Sequence, residues 1–413
     1  MEKVRVGIIG CGMIAHRHMT IYTHIPNAEV VAVSEIKADR LKAFGEQYGI
    51  PEENCYQDFR EMLKRDDLDT IDVCVHNNLH APVSIAAMKA GFDVYCEKPI
   101  ASTSADAQMM IDCAKKLGRK FHVQISSLMN AQTRVARDMV ANGELGDVYF
   151  ANLTMLSSRR RPGYDLPQFT TDFYTKELAG HGPTIDLGVY LISQLIFVLG
   201  MPELQSVSGF ATRGLEYDDR LITNPYGFGV EDFGVCLAKF KNGVNLQIQA
   251  SSAANINDQM KTYILGSKGG LEIIGADTTG GPFARAANAD AAALVMGNPA
   301  LKFYGNGMGG EVFGVDLNVW DRGLKEARVN PEISLYDDNQ VHWIAYKTGV
   351  LTDETRYNTP EIAKNMLMIT DGLFLSSELK REVTAEEIRA MVKPMALTEQ
   401  ETPFGTIHYD LSF

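Results

Sequence analysis

Residues 4–15 read VRVGIIGCGMIA: an apolar run of β character, then Gly10-Cys11-Gly12, then Ala15 where a helix is under way. Gly10 suits a tight strand-to-helix turn, and Gly12 lets a pyrophosphate approach the backbone. The small Ala15 lets the helix pack on its strand. Gly10, Cys11, Gly12, Met13 and Ile14 would then present the helix N-terminus to phosphates. The same glycines also suit a flavodoxin-like turn that holds no dinucleotide. Position and context favour the dinucleotide, because a second apolar strand, EVVAVSE, ends on Glu35. An acid there accepts the ribose hydroxyls and repels a 2′-phosphate, which predicts NAD over NADP. Lys37 and Arg40 follow closely and would soften that preference.

Outward from this turn, strand and helix patterns alternate to about residue 125. The strands are VRVGIIG, EVVAVSE, TIDVCVHN, DVYCEKP and KFHVQIS. Between them lie the helical stretches 13–24, ADRLKAFGEQYG, DFREMLKR, PVSIAAMKAG and SADAQMMIDCAKKLG, the last capped by Ser102, Thr103 or Ser104. Repeated βα units predict a doubly wound parallel sheet over residues 1–126. Beyond TRVARDMVANGELG the pattern turns strand-rich, from DVYFANLTMLS through VCLAKFKNGVNLQIQASSA, with a hairpin turn at 241–243. Residues 127–413 are therefore expected to form an α+β domain on a large, mostly antiparallel open sheet. It carries helices at 184–199 and over EIAKNMLMITDGLFLSSELK, and at about 275–312 either an inserted loop or lid or a short disordered surface excursion.

Composition narrows the function. The 413 residues hold 39 Lys and Arg against 52 Asp and Glu, a net charge of −13, which argues against nucleic acid and anionic membrane as partners. No apolar run reaches the ~18 residues of a membrane span, and MEKVRV enters a strand without a signal-peptide pattern, so a cytoplasmic protein is expected. The six cysteines lack CxxC spacing, which reads as buried free thiols and no metal site.

Several stretches together resemble the glucose–fructose oxidoreductase / inositol dehydrogenase (Gfo/Idh/MocA) family over most of the chain. They are GIIGCGMIA, IDVCVHNNLHAPVSIAAMKAGFDVYCEKPIA at 71–101, AGHGPTIDLGVY at 179–190, LGSKGGLEI at 265–273 and the closing ITDGLFLSSELKREV. The resemblance implies a Rossmann domain for NAD(P), hydride transfer at a carbinol carbon of a sugar, cyclitol or related polyol, and a homodimer or homotetramer. It makes Lys98 of Glu97-Lys98-Pro99 the first catalytic candidate, on a bond that is cis in the family. Such a lysine hydrogen-bonds the reacting hydroxyl and stabilises charge developing on oxygen. The family's second pair, an aspartate and a histidine four positions on, is Asp186 and Tyr190 here. Tyr190 is thereby a proton-relay candidate, or else a packing residue on an apolar helix. His181 stands where relatives have glycine and is a spare acid–base and substrate-binding candidate.

After strand TIDVCV, His76-Asn77-Asn78 replaces the family's usual Thr-Pro-Asn, with His80 matching; His76, Asn78, His80, Glu97 and Gln124 join the expected cofactor contacts. The arginine usual after the strand KFHVQIS is missing, the text reading VQISSLMN. Arg159-Arg160-Arg161 is either an anion clamp or a solvated loop, and Arg159 and Lys176 join Asp186 and His181 as substrate contacts. Two other readings stay open: an NAD-recycling enzyme that cleaves glycosides by oxidation and elimination, and a dinucleotide-binding sensor without turnover.

Overall fold

A computed structural model describes residues 3–413 except 168, 187, 275–299, 307–311, 319–337 and 355–356. The first sheet has six parallel strands in the order β3-β2-β1-β4-β5-β6. They are β1 Val4–Ile9, β2 Ala28–Ser34, β3 Cys55–Tyr56, β4 Thr70–Val73, β5 Asp93–Cys96 and β6 Phe121–Val123. β4 and β5 are buried along their whole length, as expected where helices cover both faces of a parallel sheet. Strand order reverses between β1 and β4, so a crevice opens at their carboxyl ends. Of the cap candidates, Thr103 opens the helix Ser104–Leu117, its hydroxyl accepting from the Asp106 amide.

The second sheet has nine strands, β14-β13-β12-β11-β7-β10-β9-β8-β15. They are β7 Val148–Leu156, β8 Leu204–Thr212, β9 Phe233–Phe240, β10 Asn245–Ser251, β11 Gln259–Gly266, β12 Gly269–Ile274, β13 Ala300–Asn306, β14 Val312–Asn318 and β15 Val383–Thr384. All neighbours are antiparallel except β7 and β10, which run parallel at the centre. The turn at 241–243 joins β9 to β10 as the sequence predicts, and Thr359–Leu379 is one long helix lying on β8.

Two features depart from the sequence pattern. Most of the expected loop at 275–312 lies outside the described residues, but Ala300–Asn306 is strand β13, paired over its length with β12. Its Leu301 supplies an apolar contact to the core, which a Gly/Ala-rich context hides. The helix Asp338–Lys347, late in the chain, packs back on the first sheet. Trp343, fully buried, lies 6.1 Å from the Tyr95 ring and 6.0 Å from that of His122. Truncating it to alanine would cost about 3–5 kcal/mol. Among the described residues no helix is long and apolar enough to cross a membrane. All six cysteines are free thiols, and all but Cys55 are buried.

Candidate active site

The turn after β1 has the shape its glycines require. Gly10 sits at φ +96°, and a Cβ there would lie 2.4 Å from the Cys74 carbonyl oxygen, so no side chain fits. A Cβ on Gly12 would point into open space, which leaves room for a ligand against the backbone. Gly12 caps the helix Met13–Tyr22 with no side-chain acceptor, and the first turn carries no acid. Its amides are thus available to an anion. Met13 is half exposed beside them and Ile14 partly buried. Glu35, nearly buried at the end of β2, accepts from the Cys11 amide (3.1 Å) and the Lys37 amide (3.1 Å), with Arg40 Nη1 at 3.6 Å. On the far side of the crevice, Asn78 is buried and its Oδ1 accepts no hydrogen bond. Uncapped amides, open space at Gly12, a buried acid at the end of β2 and an orphaned amide oxygen fit a dinucleotide.

At the carboxyl end of β5 the Lys98–Pro99 bond is cis. Lys98 Nζ donates to Asp186 Oδ1 (3.0 Å) and to the Asp186 carbonyl (3.3 Å), and lies 4.8 Å from the centre of the Tyr190 ring. Burial alone would lower the lysine pKa. The charges of Asp186, then Tyr190 and Glu97, outweigh it and raise it above the ordinary value, so Lys98 is an ammonium. Asp186 ends the short helix Pro183–Asp186, and Tyr190 stands on Gly188–Val198, whose Tyr190 carbonyl accepts from Ser127 Oγ. The i, i+4 spacing thus brings carboxylate and phenyl ring to the same ammonium. His181 stacks on Phe374 with ring centres 3.9 Å apart. Burial, helped by Lys176, pushes its pKa down to about 3, so it is a neutral imidazole at physiological pH.

Beside Asp186 a small hollow is lined by Phe173, Tyr174, Phe228, Arg161 and Glu231. Glu231 accepts from the Gly182 amide (2.8 Å), the Thr184 amide (3.2 Å) and the Thr184 hydroxyl, so it staples the turn that carries Asp186. Burial raises its pKa despite these donors. Sequence reasoning missed Glu231, which reaches the site from just ahead of β9, and no local motif marks it. It also missed His18, on the helix that follows the glycine turn, and Asp72, within β4.

The model for the oxidoreductase family with an NAD-binding Rossmann fold matches residues 4–125, and that for the GFO/IDH/MocA C-terminal domain matches residues 133–272. The chain is 31% identical to D-glucoside 3-dehydrogenase of Escherichia coli over 66% of its own length and 77% of that protein's. The chain belongs to the GFO/IDH/MocA oxidoreductase family. It is also 26% identical to myo-inositol 2-dehydrogenase of Thermotoga maritima, over 64% of this chain and 74% of that one. Levoglucosan dehydrogenase, solved with NADH and levoglucosan, shares the fold at 18% identity with a TM-score of 0.73, over 93% of this chain and all of that one.

The loop after β4 is tied to the segment 171–179. His76 Nε2 lies 3.1 Å from Asp172 Oδ2, Asn77 donates to the Ala179 carbonyl and Asn78 to the Glu177 carbonyl. The ring nitrogens of His80 face the carbonyls of Pro99 (2.6 Å) and Val75 (3.0 Å), holding this loop to the Glu97-Lys98-Pro99 turn. Gln124 Oε1 accepts from the Tyr95 hydroxyl at the end of β6. The arginine run does not act as one clamp. Arg160 pairs with Asp258 (2.7 Å), Arg161 is buried on Asp165 (2.7 Å), and Arg159 is exposed. Lys176 is exposed at the start of its short helix, near enough to His181 to disfavour its charge.

Proposed function

We propose that this chain is an NAD-dependent dehydrogenase acting on a secondary hydroxyl of a sugar, cyclitol or glycoside, with residues 1–126 holding the cofactor and 127–413 the substrate. The observation that carries the reading is the Lys98–Asp186 pair, 3.0 Å apart, beside the hollow and at the mouth of the glycine-turn crevice. NAD would be held by the amides of Gly12 and Met13, by Glu35 at the adenosine ribose and by Asn78. When bound it supplies the hydride acceptor.

The chain's own groups then do the following. Lys98, already an ammonium, donates a hydrogen bond to the reacting oxygen and stabilises the negative charge that grows there. Asp186 grips the hydroxyl and receives its proton, with Tyr190 under the same ammonium as the alternative relay. Phe173, Tyr174 and Phe228 present apolar faces to the ring carbons and keep water from the site. The two sugar-acting relatives and the levoglucosan complex support this substrate class.

The test is NAD⁺ reduction over a panel of free sugars, inositols and glycosides, with aglycone release followed in parallel. NADH formed in proportion to substrate is the expected result. Aglycone released without net NADH would replace the reading by oxidation–elimination, and no turnover of any compound by protein that binds NAD would replace it by a sensor.

A further inference from the structure

Beneath Lys98 a buried polar chain runs away from the reacting centre, and its middle member has no role in the steps above. His18, on the helix Met13–Tyr22, is fully buried with two ring nitrogens aimed at two carboxylates. Nδ1 lies 2.8 Å from Asp72 Oδ2 and Nε2 lies 2.8 Å from Glu97 Oε1. The other Glu97 oxygen accepts from the backbone amide of Lys98 at 2.8 Å. The side chains of His18, Asp72 and Glu97 are all but inaccessible to water.

The chemistry leaves little freedom. A neutral imidazole donates from one nitrogen only, so it would leave one carboxylate facing a lone pair at hydrogen-bond distance in a dry core. Two ionised carboxylates need two donors, and only the imidazolium has them. The charges then alternate along the chain: Asp72 negative, His18 positive, Glu97 negative, Lys98 positive, Asp186 negative. The groups around His18 agree with that assignment. From β4 comes Asp72 and from just beyond it Cys74, the thiol 3.4 Å from Nδ1; beyond β5 stands Glu97, and the Tyr95 ring is 5.7 Å away. From its own helix Tyr22 lies beside Asp72. None of these is a cation. Burial works against charge on the imidazole, but Asp72 and its neighbours raise its pKa well above the ordinary histidine value. The bond from His18 correspondingly lowers that of Glu97 against its burial.

We propose that His18 is a positioning residue: held as an imidazolium between Asp72 and Glu97, it fixes the Glu97 carboxylate under the Lys98 amide and so sets the direction in which Lys98 reaches Asp186. His18 touches neither substrate nor cofactor in this reading. It ties the first helix of the glycine turn to the catalytic turn after β5, so the two halves of the crevice share one rigid element. The kinetic part of the proposal rests on the dehydrogenase reading above; the protonation state does not.

The experiment therefore has two arms on the full-length protein. In the first, ring-¹⁵N-histidine protein is examined by NMR from pH 6 to pH 9, with His18 assigned by its loss in His18→Gln. Both His18 nitrogens are expected to stay protonated across the range. A neutral tautomer, or a titration between pH 6 and 7.5, would overturn the proposal whether or not any substrate is ever found.

In the second arm, His18→Gln and Asp72→Asn are assayed with the best compound of the sugar panel. Gln offers one donor end in place of two, and Asn removes the outer charge while keeping an acceptor. Each is expected to lower kcat at least tenfold while KM for NAD⁺ moves less than threefold, because misdirecting Lys98 affects the reacting oxygen and not the glycine turn. If His18→Gln does not fold, Asp72→Asn carries this arm. A kcat within threefold of the unaltered protein, in whichever variant folds, would show that the chain is structural and sink the idea. Absence of turnover in the unaltered protein would count against the dehydrogenase reading alone, leaving the first arm to decide.

Discussion

Replacing Lys98 by alanine isolates the charge that the site is built around. At 3.0 Å from Asp186, the ammonium interacts with a unit negative charge by about 5.5 kcal/mol at an effective dielectric of 20. An oxygen that becomes an alkoxide at a similar distance would gain up to the same amount. Asp186 opposes part of it, and the pair is not sealed from water, with 17% and 18% of the two side chains exposed. About 3–5 kcal/mol then remains for the transition state, or two to four powers of ten in rate. The ground state gains little, since a neutral hydroxyl feels the charge weakly, so the loss belongs in kcat and kcat/KM together. Initial rates of NAD⁺ reduction would measure it, with an NAD titration by protein fluorescence and a thermal melt alongside. A folded Lys98→Ala protein with normal NAD affinity and kcat within tenfold of the parent would refute the electrostatic role.

Tyr190→Phe keeps the ring under the ammonium and deletes the hydroxyl; a tenfold or larger fall in kcat supports the proton relay, and normal turnover makes Tyr190 a packing residue. Glu35→Ala is expected to narrow the preference for NAD⁺ over NADP⁺ in kcat/KM, since it removes the carboxylate that would face a 2′-phosphate, and equal use of both by the unaltered protein would contradict that assignment. Burial lifts the Asp371 carboxyl to about 7, even though it accepts from the Ser104 amide. Its folded pKa thus lies above the unfolded value, so this group's contribution is full at low pH and is lost as pH rises through 7. Asp371→Asn should raise Tm more at pH 8 than at pH 5, and equal shifts at both would be evidence against that ionisation. β9 and β10 alternate buried and half-buried residues, leaving one sheet face only partly covered within the chain. Light scattering is expected to give a mass two or four times 45.6 kDa, and a monomer at working concentration would contradict the assembly.

The sequence by itself determined the parts whose physics is local. The glycine turn was legible because a turn at positive φ calls for glycine and because amides at a helix start need no distant partner. The βα alternation, the hairpin at 241–243 and the long helix over 359–379 were legible for the same reason: period and turn chemistry are carried within a dozen residues. Lys98, Asp186 and Tyr190 were named through the family resemblance that their short motifs carry, and the structure brings all three together from separate elements. The tertiary structure alone decided what stands around them. Strand β13 lies in a Gly/Ala-rich stretch with no period of its own, and its edges are defined by pairing to β12.

The arginine run was ambiguous from sequence, because a guanidinium in a loop takes its meaning from the acids that meet it. Asp258 and Asp165 take two of the three arginines. Glu231, more than 40 residues from the turn it staples, and His18, 79 residues from Glu97, were invisible to any window. Their roles depend on burial and on which carboxylates the fold brings within hydrogen-bond reach, and those are properties of the packed chain.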